Sequence, residues 1–163
     1  MSDFFGLKVP FLAHLGVKAE MAEGGRSRIS LELRPELMNS FEVSHGGVIM
    51  TMLDVAMAVA ARTAHEHVGG IMTVDMSLSF IRSAKGRIVA EGRLLRGGNS
   101  LHFCEGEAFD ESGELVAKSL GTFKLRREAR SKPDQAQDSP SPAREADSQV
   151  RKASQRQLLQ ANQ

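Results

Sequence analysis

The sequence predicts an α+β domain in which a curved antiparallel sheet wraps one long central helix. Three observations carry that prediction. Val48 to Ala61 is an almost unbroken apolar segment that follows His45-Gly46-Gly47, and a helix apolar around its whole circumference belongs in an enclosed position. On both sides of it the apolar residues change to a period of two: Ile29, Leu31 and Leu33 before, and Val74, Met76, Leu78 and Phe80 after, the signature of half-buried strands. Glycine-containing turns then divide the rest into short, evenly spaced segments. The layout is two strands, one helix and four strands. A sheet curved around the helix is the economical cover, and pairing two such units covers the remainder.

Taken in order, Phe4 to Leu15 reads as a short helical lead, with Pro10 able to start a turn and Gly16 able to end it. Val17–Met21 and Arg26–Leu33 read as strands joined by a hairpin at Glu23-Gly24-Gly25. Arg34 to Ser44 is a loop, and the long helix runs from about Gly46 to the region of His65–Gly69. Ile71–Ile81, Arg87–Arg96, Ser100–Asp110 and Glu114–Leu125 complete the strands, which the short turns predict to be a four-stranded meander. The expected organisation is a lead over residues 1–16, the domain over 17–128, and a tail over 129–163. That tail has no aromatic residue, six Lys/Arg against four Asp/Glu and three of the five prolines. A segment of that composition buries too little apolar surface to offset the entropy of ordering it, so disorder is expected.

Composition removes several function classes. A net charge of +1 in 163 residues supplies no field for nucleic acid or anionic membrane. One cysteine, Cys104, excludes an intramolecular disulfide and a multi-cysteine metal site, and fits a reducing cytoplasm. The N-terminus lacks the charged start and apolar run of a signal peptide. The apolar helix is shorter than the roughly 20 residues of a bilayer span, with a carboxylate at its centre. No metal ligand set and no membrane role are expected.

That carboxylate, Asp54, is the sharpest clue. An ionised acid is not placed on a buried helix without a partner or a purpose, because desolvation costs several kcal/mol. Pairing with Arg62 or a base from another chain is one account. The other is a general base or nucleophile, since a carboxylate among apolar groups moves towards the range where it exchanges protons at neutral pH. Gly46-Gly47 favour the second: backbone N–H groups at a helix N-terminus have no intrahelical partner, sit in positive potential, and without a Cβ admit a ligand closely. Such a terminus suits a developing oxyanion. His65 and His67 read as solvated or capping residues, no partner for His14 or His102 is visible in the sequence, Cys104 reads as a small core residue, and Met50, Met52 and Met57 read as core packing.

Asn39, His45-Gly46-Gly47 and Asp54 stand in the frame N-x5-HGG-x6-D, Thr73-Val74-Asp75-Met76 precedes Phe80, and the last strand reads GELVAKSLGTF. Over roughly residues 10 to 126 this resembles the hotdog-fold acyl-CoA thioesterases of the phenylacetate-pathway (PaaI-like) branch of the 4-hydroxybenzoyl-CoA thioesterase superfamily. The resemblance implies that Asp54 is the catalytic carboxylate and that the Gly47 N–H polarises the thioester carbonyl. It further implies that Asn39 and His45 help to hold carbonyl or water, and that Thr73 positions the water. Gly46 would lie against the substrate. The turn Arg96-Gly97-Gly98-Asn99-Ser100 lacks the additional basic residue often found there in relatives, which leaves Arg82, Lys85 and Arg96 as candidate contacts for the CoA phosphates. The resemblance also implies a composite site, Asp54 of one subunit facing Gly47 of the other, in a homodimer that pairs into a tetramer. No cofactor is implied, the CoA thioester being substrate. The alternative on the same fold is a non-catalytic acyl-CoA-binding or sensing protein; a dehydratase would need a His and acid arrangement not visible here.

Overall fold

The computed structural model describes residues 4–65 and 68–127. Of the sequence expectations, those for His67 and for the tail over 129–163 lie outside the described residues. A short helix α1 (Pro10–Leu15) begins on proline and ends on Gly16 in the left-handed region, φ 81°; the helical lead expected from Phe4 is corrected to this part, because Phe5 and Gly6 take positive φ and Phe4 bridges Leu7 instead. Strands β1 (Lys18–Glu23) and β2 (Arg26–Glu32) follow. Gly24 and Gly25 both have positive φ, 55° and 78°, the geometry that a two-residue hairpin demands and that glycine adopts without cost. A single 3-10 turn (Pro35–Leu37) interrupts the loop before helix α2 (Gly46–Thr63). Strands β3 (Val68–Phe80), β4 (Arg87–Gly97), β5 (Leu101–Phe109) and β6 (Leu115–Arg127) complete the domain.

The sheet is antiparallel with strand order β1-β2-β4-β5-β6-β3. The predicted four-stranded meander is therefore corrected to three strands, β4-β5-β6. β3 does not pair with β4; it lies at the far edge against β6, with Thr73 opposite Phe123 and Phe80 opposite Ala117. The reason is the crossing helix. α2 carries the chain from β2 across the sheet to its other edge, and the segment between β3 and β4 brings it back, pinned by Leu33 N donating to Gly86 O and Ser44 N donating to Ala84 O. β3 also starts earlier than the alternation suggested. Gly69 and Gly70 lie in the strand beside a register shift between Val68 and Gly70, and a second shift lies between Thr73 and Asp75.

α2 packs on the concave side of the sheet. Met52, Leu53, Ala56, Met57, Ala60 and Ala61 are fully buried at the spacing of one helix face. The approach is close enough to dictate sequence on the sheet: a Cβ on Gly92 would lie 2.3 Å from the carbonyl oxygen of Ala56, so only glycine fits. The buried Ser27 hydroxyl donates to that same carbonyl at 2.6 Å. Phe123, Leu31, Ile29, Ile88 and Val116 fill the rest of the core. α2 has the length and hydropathy of a membrane span, and its role as the core helix of the domain accounts for both.

The opposite face of α2 is not enclosed. Met50 is 45% exposed, and Gly47, Thr51, Asp54 and Ala58 are only half-buried. This is the remainder that one sheet leaves and that pairing of two units was expected to cover; the expectation of core packing is corrected for Met50, which leaves the core to which Met52 and Met57 belong.

Candidate active site

The N-terminus of α2 is built by the loop that leads into it. Asn39 organises that loop: its Oδ1 accepts from Phe41 N at 2.9 Å and Val43 N at 3.4 Å, and its N–H donates to Val43 O at 2.9 Å. Such Asx hydrogen bonds hold a tight turn. Glu42 takes a left-handed φ of 56° at the turn, and Phe41 is 81% exposed at its tip. The chain is then anchored by His45 N donating to Leu37 O at 2.9 Å. His45 is the extended N-cap residue, and its Nδ1 accepts from Gly47 N at 3.0 Å. Sequence reasoning put the Gly47 N–H in the site but missed that His45 would already engage it. The N-cap preference for a side-chain acceptor is the signal that was available.

Asp54 lies two turns further along. It is half-buried, and Thr73 Oγ1 donates to its Oδ1 at 2.7 Å. Thr73 reaches it from β3, immediately before the register shift at Thr73/Asp75. The pairing of Asp54 with Arg62 is not what forms: the Arg62 guanidinium donates to Phe5 O at 3.4 Å instead. Among the described residues Asp54 therefore holds one oxygen to a neutral hydroxyl and keeps Oδ2 open, a carboxylate oriented but not neutralised by a cation.

Gly47, Thr51 and Asp54 share one helix face by their spacing. The seven-residue separation of Gly47 and Asp54 places them about 10 Å apart along the axis, at 1.5 Å per residue. Within one chain they cannot both touch one carbonyl group. Gly46 sits under the Phe80 ring, which a Cβ at position 46 would approach to 3.1 Å. A groove of about 230 Å³ opens beside the helix N-terminus, bounded by Phe11 and Leu15 of α1, Leu37 and Met38, and by His45 and Thr51.

The basic candidates separate. Arg82 and Lys85 lie in the segment between β3 and β4 near the α2 N-terminus, and Arg82 pairs with Glu114 at 3.1 Å. Arg96 lies at the other end of β4, nine residues and about 30 Å from that segment at strand rise. One chain thus offers two separate basic positions rather than one cluster. The histidines also depart from expectation. His102 is buried, and its Nε2 lies 2.6 Å from Nε2 of the half-buried His65, with the rings edge to face. Two histidines 37 positions apart meet because β5 runs under the end of α2, which no local pattern signals. Cys104 is buried as expected, and desolvation pushes its thiol up to about 12.

A long α2 crossing a six-stranded sheet, with an acid on its open face and glycines at its start, can now be set beside known proteins. The model of the thioesterase superfamily matches residues 41–117. A candidate esterase of Saccharolobus solfataricus is 30% identical over 118 residues, covering 72% of this chain and 78% of that protein. The chain belongs to the thioesterase superfamily. Within that superfamily it is also similar to the medium/long-chain acyl-CoA thioesterase YigI of Escherichia coli, 26% identical over 139 residues, covering 76% of this chain and 90% of that protein. The solved structure of the E. coli PaaI protein from the phenylacetic acid degradation operon superposes with a TM-score of 0.67 at 16% identity, over 72% of this chain and 85% of that one. At that identity it shows the shared hotdog fold. The chain is a thioester hydrolase, and one helix carries both its core and the candidate site.

Proposed function

We propose that this thioester hydrolase acts on acyl-CoA, releasing CoA and a carboxylic acid, with Asp54 as general base or nucleophile. The observation that carries the reading is the carboxylate of Asp54, fixed through Oδ1 by Thr73 at 2.7 Å on the open face of a superfamily helix whose N-terminus holds Gly47 and His45. As base, Asp54 takes a proton from water as the water oxygen attacks the thioester carbon. The tetrahedral intermediate then collapses, the C–S bond breaks, and the proton passes to the departing thiolate. As nucleophile, Asp54 attacks the thioester carbon, the C–S bond breaks to release CoA thiolate, and water hydrolyses the resulting mixed anhydride to the carboxylic acid, regenerating the Asp54 carboxylate while the thiolate takes up a proton. No cofactor enters either route. The Thr73 hydroxyl, donating to Asp54, keeps lone pairs with which to accept from the water, and Asn39, its Oδ1 engaged by the Phe41 and Val43 N–H groups, has its amide nitrogen to donate to carbonyl or water. The carbonyl lies at the N-terminus of α2, where the Gly47 N–H exchanges its bond to His45 Nδ1 for one to the carbonyl oxygen, and the groove between α1 and α2 receives the acyl group.

The second subunit belongs to the same proposal. Gly47 and Asp54 of one chain are about 10 Å apart along the helix, whereas two copies with their open faces opposed bring one chain's Asp54 to the other's helix start. β3 is a 13-residue edge strand with Met72 and Val74 exposed, and an uncovered edge of that length calls for a partner. Leu95, Phe103 and Leu120, exposed elsewhere on the sheet, offer a surface for pairing dimers into a tetramer. Lys85 and Arg82 near one helix start, with Arg96 of either chain, are the contacts proposed for CoA phosphates. Membership of the PaaI-like branch is part of this reading, supported by the frame from Asn39 through His45-Gly46-Gly47 to Asp54.

The test is hydrolysis of a panel of aromatic and straight-chain acyl-CoAs by wild type and Asp54→Asn. We expect turnover on at least one member and a loss of about 100-fold or more in the variant, with the melting temperature unchanged. Near-wild-type turnover by Asp54→Asn removes the assignment. Tight acyl-CoA binding without turnover by wild type favours the sensing alternative.

A further inference from the structure

The groove beside the start of α2 is walled on one side by the candidate site and on the other by α1. Gly47, Val48 and Thr51 line it from α2, and Phe11 and Leu15 line it from α1. The short helix is held firmly in place. Leu12 and Leu15 are buried in one core cluster with Leu37, Val48 and Met52, and the Arg34 guanidinium donates to His14 O. Phe11 takes no part in that core. It is 56% exposed, a large apolar side chain on an anchored helix, one turn from Leu15 on the same flank.

We propose that Phe11 sets the length of acyl group this site accepts, and that the group is an uncharged straight chain of about eight carbons. The inference rests on the thioesterase reading above and on entry of the acyl group into this groove.

Direction, size and charge each follow from the lining. A chain whose carbonyl lies at the start of α2 runs away from that helix, and the wall it meets is α1. The space is about 230 Å³. At roughly 30 Å³ for a group the size of water it takes about eight such groups, and a methylene is of similar size. Leu15, Leu37, Met38 and Val48 are aliphatic, and Phe11 is the one phenyl ring of the lining, so no pair of ring faces is present to sandwich an aryl group. The Thr51 hydroxyl is committed to Gly47 O at 2.9 Å. No Lys or Arg lines the groove, and its one carboxylate is Glu36, exposed and paired with Arg34 at 3.7 Å. A second carboxylate at the far end of an acyl chain would lose water there and gain no cation. Leu15 and Leu37, 8% and 7% exposed, belong to the core and form fixed parts of the wall. Phe11 is the part that can change size without opening a cavity in the core.

Steady-state kinetics on wild type, Phe11→Ala and Phe11→Trp test this with acetyl-, butanoyl-, octanoyl- and dodecanoyl-CoA. Suberyl-CoA, an eight-carbon acyl group ending in a carboxylate, and the aromatic acyl-CoAs of the panel above complete the set. Each result is read as a ratio of kcat/KM between two substrates on one enzyme, because a loss of folded protein lowers all substrates alike. For wild type, kcat/KM should rise about fourfold per methylene from butanoyl to octanoyl and no further at dodecanoyl. Suberyl-CoA should fall about tenfold or more below octanoyl-CoA. Phe11→Ala should raise the dodecanoyl-to-octanoyl ratio about tenfold or more, and Phe11→Trp should lower the octanoyl-to-butanoyl ratio by a similar factor. Ratios within about threefold of wild type in both variants overturn the assignment. So does a wild type that prefers acetyl-, suberyl- or aromatic acyl-CoA. A dimer-to-monomer change in either variant with unmoved ratios, seen by light scattering, assigns Phe11 to a subunit contact and overturns it too. The thioesterase reading survives each of these results; a wild type that hydrolyses none of the substrates overturns both.

Discussion

The two faces of α2 come from one stretch of sequence and are governed by different physics. On the sheet side the fit is steric. Ala56 approaches β4 so closely that position 92 has no room for a Cβ, and Met52, Leu53, Met57 and Ala60 are fully buried. On the open side Asp54 is half-buried, holds one hydrogen bond to Thr73, and shares its face with Gly47 and Thr51. Substitutions on the first face should be felt as stability, and those on the second as activity. On the proposed reading the helix is a scaffold along one line and a reagent along another, and the rigidity of the first gives the second its positions.

The widest contrast should come from Gly92→Val against Asp54→Asn. A side chain driven into the Ala56 carbonyl forces α2 off the sheet, so Gly92→Val should lose 3 kcal/mol or more, by extension of the roughly 1–3 kcal/mol typical of overpacking, in chemical denaturation. Asp54→Asn should leave the unfolding midpoint alone and remove turnover. Equal effects of both on stability would erase the distinction between the faces. Next in size, Thr73→Ala removes a hydrogen bond to a charged group, worth about 1.5–3 kcal/mol. It should lower kcat by about 10- to 100-fold without rescue by changes in substrate concentration. A loss confined to KM would show that Thr73 does not orient the carboxylate.

The inner face also makes a pH prediction through Cys104. Burial raises its thiol from an ordinary 9.0 to about 12 in the folded state. The unfolded chain therefore releases this proton first. The contribution of the buried thiol to stability is complete below pH 9 and is lost as pH rises from 9.0 towards 12, with a slope of at most about 1.4 kcal/mol per unit. Cys104→Ala should flatten that slope in urea titrations at alkaline pH; an unchanged slope would assign it to other groups. Smallest of the set, Ser27→Ala removes the buried hydroxyl from the Ala56 carbonyl and should cost about 1 kcal/mol, measured as a modest fall in melting temperature with turnover retained.

How legible these faces were in the sequence follows from the same contrast. Hydropathy and period placed the central helix and every strand, because burial writes itself into local pattern. They could not separate Met50 from Met52: both read as apolar, and only the position of the sheet decides which is covered. The order of strands was hidden for a related reason, since alternation in Val74, Met76, Leu78 and Phe80 marks a strand without naming its neighbour. Asp54 and Gly47 stood out as exceptions to the local pattern, whereas the partner of Asp54 depended on the crossover that sends β3 to the far edge. The His65–His102 contact and the separation of Arg96 from Arg82 and Lys85 are likewise properties of the long-range path. The His45 cap lies two residues from Gly47 and was within reach of local reasoning, which treated the N–H as unpartnered.

The central claim is that one chain's Asp54 works with the helix start of another. Complementation tests it most directly, mixing Asp54→Asn subunits with His45→Gly subunits. His45→Gly removes the side chain that caps the helix start, and glycine is accepted at an N-cap position with little cost to the helix. Each variant alone should be nearly inactive. After co-unfolding and refolding at equal concentration, mixed dimers carry one intact site, and roughly a quarter of wild-type acyl-CoA hydrolysis should return, as random pairing in a two-fold dimer requires. A mixture that stays at the level of its inactive parents, with mixed dimers verified by native mass spectrometry, would place the whole site within one chain and contradict the account.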